Sequence, residues 1–281
     1  SDNTVTDNGE NGMLFTNSSD DNTITGNILQ NNTYSGITLE NSSRNDLNDN
    51  IASGNLEDGF TVSGGSLNSF TNNTAEFNKG DGFNLSNTDD NTLTNNTASS
   101  NSENGFRLDN TVNTTLQGNE AEDNEGSGFL VQDSTDVNLT DNTATGNDGS
   151  GFELLNVTDS LLTGNTATEN EECGYCLDNT TGTELNDNTA SDNKGSGICV
   201  TNSTDNTIND NTVFNNTMQG IYVSNSSQNT FSDNTVTDNG ENGMLFTNSS
   251  DDNTITGNIL QNNTHSGITL ENSSGNDLND N

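Results

Sequence analysis

Three cysteines, one histidine and a large excess of carboxylates are the side chains of this sequence that could do chemistry. Cys173 and Cys176 form a Cys-Gly-Tyr-Cys segment that has the outward form of a redox motif, and Cys199 follows at a distance. Soft-metal binding needs His, Cys and Met gathered together, and His265 with three scattered Met does not supply that, so copper is rejected. Paired carboxylates such as Asp20 with Asp21, or Asp251 with Asp252, could serve as acid and base. Among 43 acidic residues, however, such pairs arise without any role. The only strong bases are Arg44, Lys79, Arg107 and Lys194, dispersed along the chain. An enzyme of acidic sugars would need basic groups to neutralise a substrate carboxylate. The expectation is therefore no enzyme, no catalytic residue and no organic cofactor.

The same charge count excludes other classes. Four Lys and Arg against 43 Asp and Glu, a net charge of −39, leave no basic patch to displace counterions from nucleic acid. No apolar run approaches the ~20 residues of a membrane-spanning helix. With 25% hydrophobic residues and no Pro or Trp, composition alone describes a disordered chain.

Periodicity overturns that description. From Asn22 the phrase NTITGNILQNNTYSGITLENSSR recurs every 23 residues, starting again at Asn45, Asn68, Asn91, Thr114, Val137, Ser160, Thr183, Asn206 and Asn229. Position 3 of each phrase is large and apolar (Ile24, Leu47, Phe70, Leu93), and position 8 is chiefly Ala. Position 15 is always Gly, with apolar residues at positions 16 and 18, as in Phe83 and Leu85. Apolar residues two apart mark short strands with one buried face, three to each repeat. No segment has 3.6-residue spacing, and Gly, Asn, Asp and Thr are poor helix interiors. The pattern predicts an all-β parallel β-helix of about twelve rungs, one continuous unit over residues 1–281. Asn at position 6 (Asn27, Asn50, Asn73, Asn96, Asn119) and position 11 (Asn32, Asn55, Asn78, Asn101, Asn124) predicts two ladders of amides bonded from rung to rung at αL corners.

The rung frame places the reactive residues. A solenoid offers no helix N-terminus to activate a thiol, so the redox reading is set aside. Cys176 and Cys199 share position 17 of adjacent rungs, and a rung spacing near 4.8 Å predicts a disulfide between them, with Cys173 left at a turn. Asp187, Asp210 and Asp233 share position 5 of three consecutive rungs and make either a calcium-binding column, with cations bridging the row of like charges, or a solvated face screened by salt, the commoner case. Eight Asn-X-Ser/Thr sites fall in one turn column, at Asn17, Asn41, Asn156, Asn179, Asn202, Asn225, Asn248 and Asn272, and are candidates for glycosylation in a secreted protein.

The full pattern, N-x-[ILVF]-x-x-N-x-[AVI]-x-x-N-x-x-x-G-[IFM]-x-[LVF], resembles the right-handed parallel β-helix repeat of the CASH and NosD-like proteins. That resemblance covers the whole chain and implies the right-handed fold, but not one activity, because the group includes enzymes of acidic sugars, tailspikes and adhesins. The acidity looks like that of a secreted or surface protein from a salt-adapted archaeon. Residues 1–50 recur at 232–281 with two changes, Tyr34 to His265 and Arg44 to Gly275. Copying ten rungs serves length more directly than it serves a pocket, and both ends keep the interior pattern without a cap. The expectation is thus an extracellular filament, stalk or adhesin segment, extended by further repeats or copies of itself stacked end to end. The alternative is a glycan-binding or glycan-processing β-helix, its partner a surface glycan.

Overall fold

The computed structural model describes residues 1–281 and contains thirty-six strands and no helix. They form three parallel twelve-stranded sheets, each taking one strand from every rung. In the rung that begins at Asn91 these are Thr92–Thr94 (sheet C), Thr97–Ser99 (sheet A) and Phe106–Asp109 (sheet B). Each pairs in register with the residues 23 positions on, so Phe106 lies over Phe83 and under Phe129. The 23-residue rung, its three strands and the absence of helix agree with the sequence reading.

Apolar positions 3, 8, 16 and 18 point inward to one core of 43 buried residues running along the axis. Phe60, Phe83, Phe106, Phe129, Phe152 and Tyr175 stack at 4.7–4.9 Å with planes within 7° of parallel. The strand spacing of a parallel sheet sets this distance, and the stacking adds aromatic attraction to area burial. The glycine at position 15 is demanded by packing. A Cβ on Gly105 would meet the Gly128 carbonyl oxygen at 2.7 Å and the Ala121 Cβ at 2.8 Å, which also explains why position 8 stays small through the middle of the rod.

Both asparagine ladders are present. Asn119 Oδ1 accepts from the backbone N–H and from Nδ2 of Asn96, each at 2.9 Å, while Asn96 Nδ2 also donates to the Phe70 carbonyl at 3.0 Å. The position-11 column repeats this through Asn101 and Asn124. A third ladder, missed in the sequence, runs through position 1 from Asn22 to Asn45 and Asn68. The αL conformation falls not on the laddered Asn but on the residue just before it. In one rung Asn95, Ser100, Asn110 and Asn113 have φ of 54°, 53°, 53° and 52°. Since Asn, Asp and Gly tolerate αL best, these corner columns account for much of the chain's Asp.

Leu67 (φ 58°) and Phe77 (φ 56°) break that rule, and both are more than half exposed. A non-Gly αL residue without a short polar side chain costs roughly 1–2 kcal/mol. Replacing either by Asn should raise stability by about 1 kcal/mol; an unchanged or lower melting point for Leu67→Asn and Phe77→Asn would contradict the corner assignment.

Candidate functional site

The outward position-7 column of sheet A repeats with little change, Thr recurring from Thr74 to Thr235 with Glu120 the one exception. The outward face of sheet B does not. Its position 17 reads Thr38, Thr61, Asn84, Arg107, Leu130, Glu153, Cys176, Cys199 and Tyr222 in successive rungs. Uniform columns are what packing and corner geometry require of every rung; position 17, which changes in all but two of these steps, is free of that requirement.

Position 14, in the turn before the glycine, borders this face. Its side chains make a fourth ladder of opposite direction, in which Asn11, Asp58, Asp81, Asn104 and Ser127 each accept the N–H of the next rung. Asp58 Oδ1 accepts from Asp81 N–H at 2.8 Å, and Asp81 Oδ1 from Asn104 N–H and Nδ2 at 2.8 and 2.9 Å. The same side chains reach across to position 17. Asp58 Oδ2 takes Thr61 Oγ1 and, 26 residues on, Asn84 Nδ2, both at 3.0 Å. Ser127 donates to Glu153 at 2.6 Å over the same separation.

That vector decides the disulfide. The bond joins Cys173 at position 14 to Cys199 at position 17, a separation of 26, with Cα atoms 6.6 Å apart. The expected Cys176–Cys199 bridge is not formed, and Cys176 is the free thiol. Cys176 and Cys199 are register partners, so their Cβ vectors run parallel and do not converge as a disulfide requires. Burial, then Glu153, Asp178 and Glu172, push the Cys176 thiol up to about 12, so it stays protonated and sluggish towards alkylation. Non-reducing peptide mapping should recover Cys173 linked to Cys199; recovery of a Cys176–Cys199 peptide would overturn this pairing.

Asp81 is fully buried, and its Oδ2 has no hydrogen-bond partner. Burial, then the neighbouring Asp58, raise its carboxyl to about 7. Burial also raises Asp58, opposed by the donors from Asp81, Asn84 and Thr61. Twenty-six residues beyond Asp81 stands Arg107, whose Nη2 pairs with Asp109 at 2.9 Å while its buried Nε is unpartnered.

Two hollows lie on this face. A polar one of about 310 Å³ is lined by Tyr34, Thr38, Glu40, Glu57, Asp58 and Thr61, among others. The second, about 390 Å³, is mainly apolar, formed by the disulfide with Ser196, Met218, Gln219 and Tyr222. The strip between them, floored by positions 14 and 17 over eight rungs, or about 38 Å at ~4.8 Å per rung, is the candidate groove.

The other expected sites lie off this groove. Asp187, Asp210 and Asp233 are exposed αL corner residues on parallel vectors. They form a row that does not converge, and no three His, Cys, Asp or Glu side chains of the chain gather where a metal ion could sit. The αL corner by itself accounts for Asp in this column. The eight sequon asparagines are exposed αL residues at position 20. Several bond along the column, Asn179 Nδ2 to Asn156 Oδ1 at 2.6 Å and Asn225 Nδ2 to Asn202 Oδ1 at 2.7 Å.

The family described as the right-handed β-helix region matches residues 1–75, 21–166 and 154–281. The chain belongs to this right-handed β-helix family. Among solved structures the β-helix is similar to the periplasmic alginate epimerase AlgG (14% identity, 90% of this chain and 76% of that one, TM-score 0.63). It is similar too to the mannuronan C-5 epimerase AlgE4 A-module of Azotobacter vinelandii (16%, 96% and 88%, TM-score 0.51). A third is PfbA, a surface adhesin of Streptococcus pneumoniae (12%, 94% and 82%, TM-score 0.50). No curated protein matches by sequence. The expectation that excluded an enzyme is corrected by these likenesses: sugar epimerases are built on this solenoid. Scarcity of Lys and Arg is no ground for exclusion when the variable face holds buried, titratable carboxylates.

Proposed function

We propose that this β-helix is an extracellular or surface protein that holds an extended glycan along the groove of sheet B. The observation that carries the reading is the sheet-B face itself, where position 17 varies along the rod and the side chains of position 14 lean across to meet it. Its floor offers hydrogen-bond acceptors in series, and Tyr34 and Tyr222 stand near its ends, where aromatic rings can pack against the apolar faces of sugar rings. The epimerase and adhesin likenesses support a glycan-processing or adhesive use. The near-copy of residues 1–50 at 232–281 supports a rod extended by further repeats, which would present such grooves at a distance from their anchorage. The sequon column would carry any glycan of the protein's own along the edge of sheet B beside the groove, where Asn202 Nδ2 donates to Asp178 Oδ1 at 2.7 Å.

The test is binding of the full chain to a panel of immobilised polysaccharides, with Tyr34→Ala and Tyr222→Ala as variants. Retention on at least one glycan, weakened by each variant, is expected. Retention on none, or retention indifferent to both tyrosines, would refute the groove. Incubation of the bound glycan with the protein, followed by product analysis, separates processing from holding.

A further inference from the structure

The charges of the groove go further than its shape. Glu40, Glu57 and Asp58 line one hollow, and Glu103, Glu153 and Asp178 continue the series towards the other. The one base on the floor, Arg107, is already paired with Asp109. A polyuronate laid here would set its carboxylates against this row, and like charges at such distances repel. Independently of the acidic row, the Asp81 carboxylate is fully buried with Oδ2 unpartnered. The repeat places that oxygen as it places Asp58 Oδ2, which meets two donors on the groove floor. The floor is therefore acidic as a whole, its one cation, Arg107, lying near the centre with its Nε unpartnered.

Resting on the glycan-groove reading, we infer that the ligand is a glycan bearing protonated amines, an amino-sugar polymer in its deacetylated form. Ammonium groups donate up to three hydrogen bonds and accept none, which complements a groove of acceptors. A basic peptide fits less well. Peptides gain affinity on sheets by pairing with a free strand edge, and the strands beneath the groove are bonded to a neighbour on both sides. The ligand is thus left to side-chain contacts, the way a sugar chain is held.

Calorimetry of the full chain at low salt tests this with a glucosamine oligomer, an N-acetylglucosamine oligomer of equal length, and an oligogalacturonate with and without calcium. The glucosamine oligomer should bind at least ~10-fold tighter than the others, the margin shrinking as salt screens the charges. Both Glu40 and Glu57 are exposed, so the double variant Glu40→Gln, Glu57→Gln keeps the fold and should lose much of that preference. Equal or tighter binding of the acetylated oligomer, or of the galacturonate in calcium, overturns the amine inference and leaves the glycan groove standing. Binding of none of them, with no glycan retained in the panel above, removes both.

Discussion

Replacing Asn96 by Ala should destabilise the rod by about 4 kcal/mol. The Asn96 side chain is 1% exposed. Its Oδ1 accepts from Asn73 N–H at 2.9 Å and Asn73 Nδ2 at 3.0 Å, and its Nδ2 donates to Phe70 O and Asn119 Oδ1. Truncation strands donors of Asn73 and acceptors of Phe70 and Asn119 where water cannot replace the amide, and each stranded buried group costs roughly 1–3 kcal/mol. The comparison is Asn110→Gly, which deletes an exposed amide bonded along an outer corner at 2.9 Å and keeps a residue at ease in αL. That variant should lose no more than about 0.5 kcal/mol. Because solenoid stability is a sum over rungs and their interfaces, a central lesion should also broaden the urea transition by uncoupling the two halves. A loss under about 1 kcal/mol for Asn96→Ala would show that the ladder adds little to the sheets.

The rung was legible because one spacing governs three sheets at once. Once Phe83, Phe106 and Phe129 are aligned at 23 residues, their neighbours fall into register, and the inner Asn columns follow without knowledge of side-chain direction. What crosses between unlike positions was not legible. Cys173 sits in a turn by its linear pattern, and nothing local shows that position 14 leans into the next rung to meet position 17. Aligning equal positions therefore favoured Cys176 with Cys199, whose side chains run parallel. The αL corners were displaced by one residue for a related reason: Asn is common both in corners and just after them, so composition could not separate the two roles. Asp187, Asp210 and Asp233 then looked like a cation column, although an αL corner alone accounts for Asp there. A signal for the groove was available in column 14, which reads Asn11, Ser35, Asp58, Asp81, Asn104, Ser127 and Ser150, all short side chains able to accept a hydrogen bond.

The groove also sets the chain's function against its stability. The ladders of positions 6 and 11 leave no buried side-chain polar atom unpartnered and that of position 1 leaves one, Thr183 Oγ1, whereas the groove floor keeps an unpartnered oxygen on Asp81 and an unpartnered Nε on Arg107. Departures from local consistency of this kind gather where a fold does more than hold itself together.

Converting Asp81 to Asn should therefore stabilise the protein at pH 8 by several kcal/mol and change little near pH 3. The folded carboxyl titrates at about 7, against an ordinary value of 3.8, because burial and then Asp58 disfavour its ionised form. Between those values the folded state holds a proton that the unfolded state has released, so stability falls as pH rises through the window. Below the lower value both states are protonated and there is no penalty; above the upper one the penalty is complete, on the order of 4 kcal/mol at 1.36 kcal/mol per pH unit. An amide removes the titration and keeps the architecture. Its Oδ1 still accepts from Asn104, and its Nδ2 can donate to Asp58 Oδ1, as Asn104 Nδ2 donates to Asp81 Oδ1 at 2.9 Å. Unfolding of the parent and the variant, followed from pH 3 to pH 8, should give curves that start together and diverge as pH rises. Parallel curves would mean that Asp81 ionises normally in the folded protein. A more stable variant that no longer retained glycan would show that the acid persists for binding, at the expense of the fold.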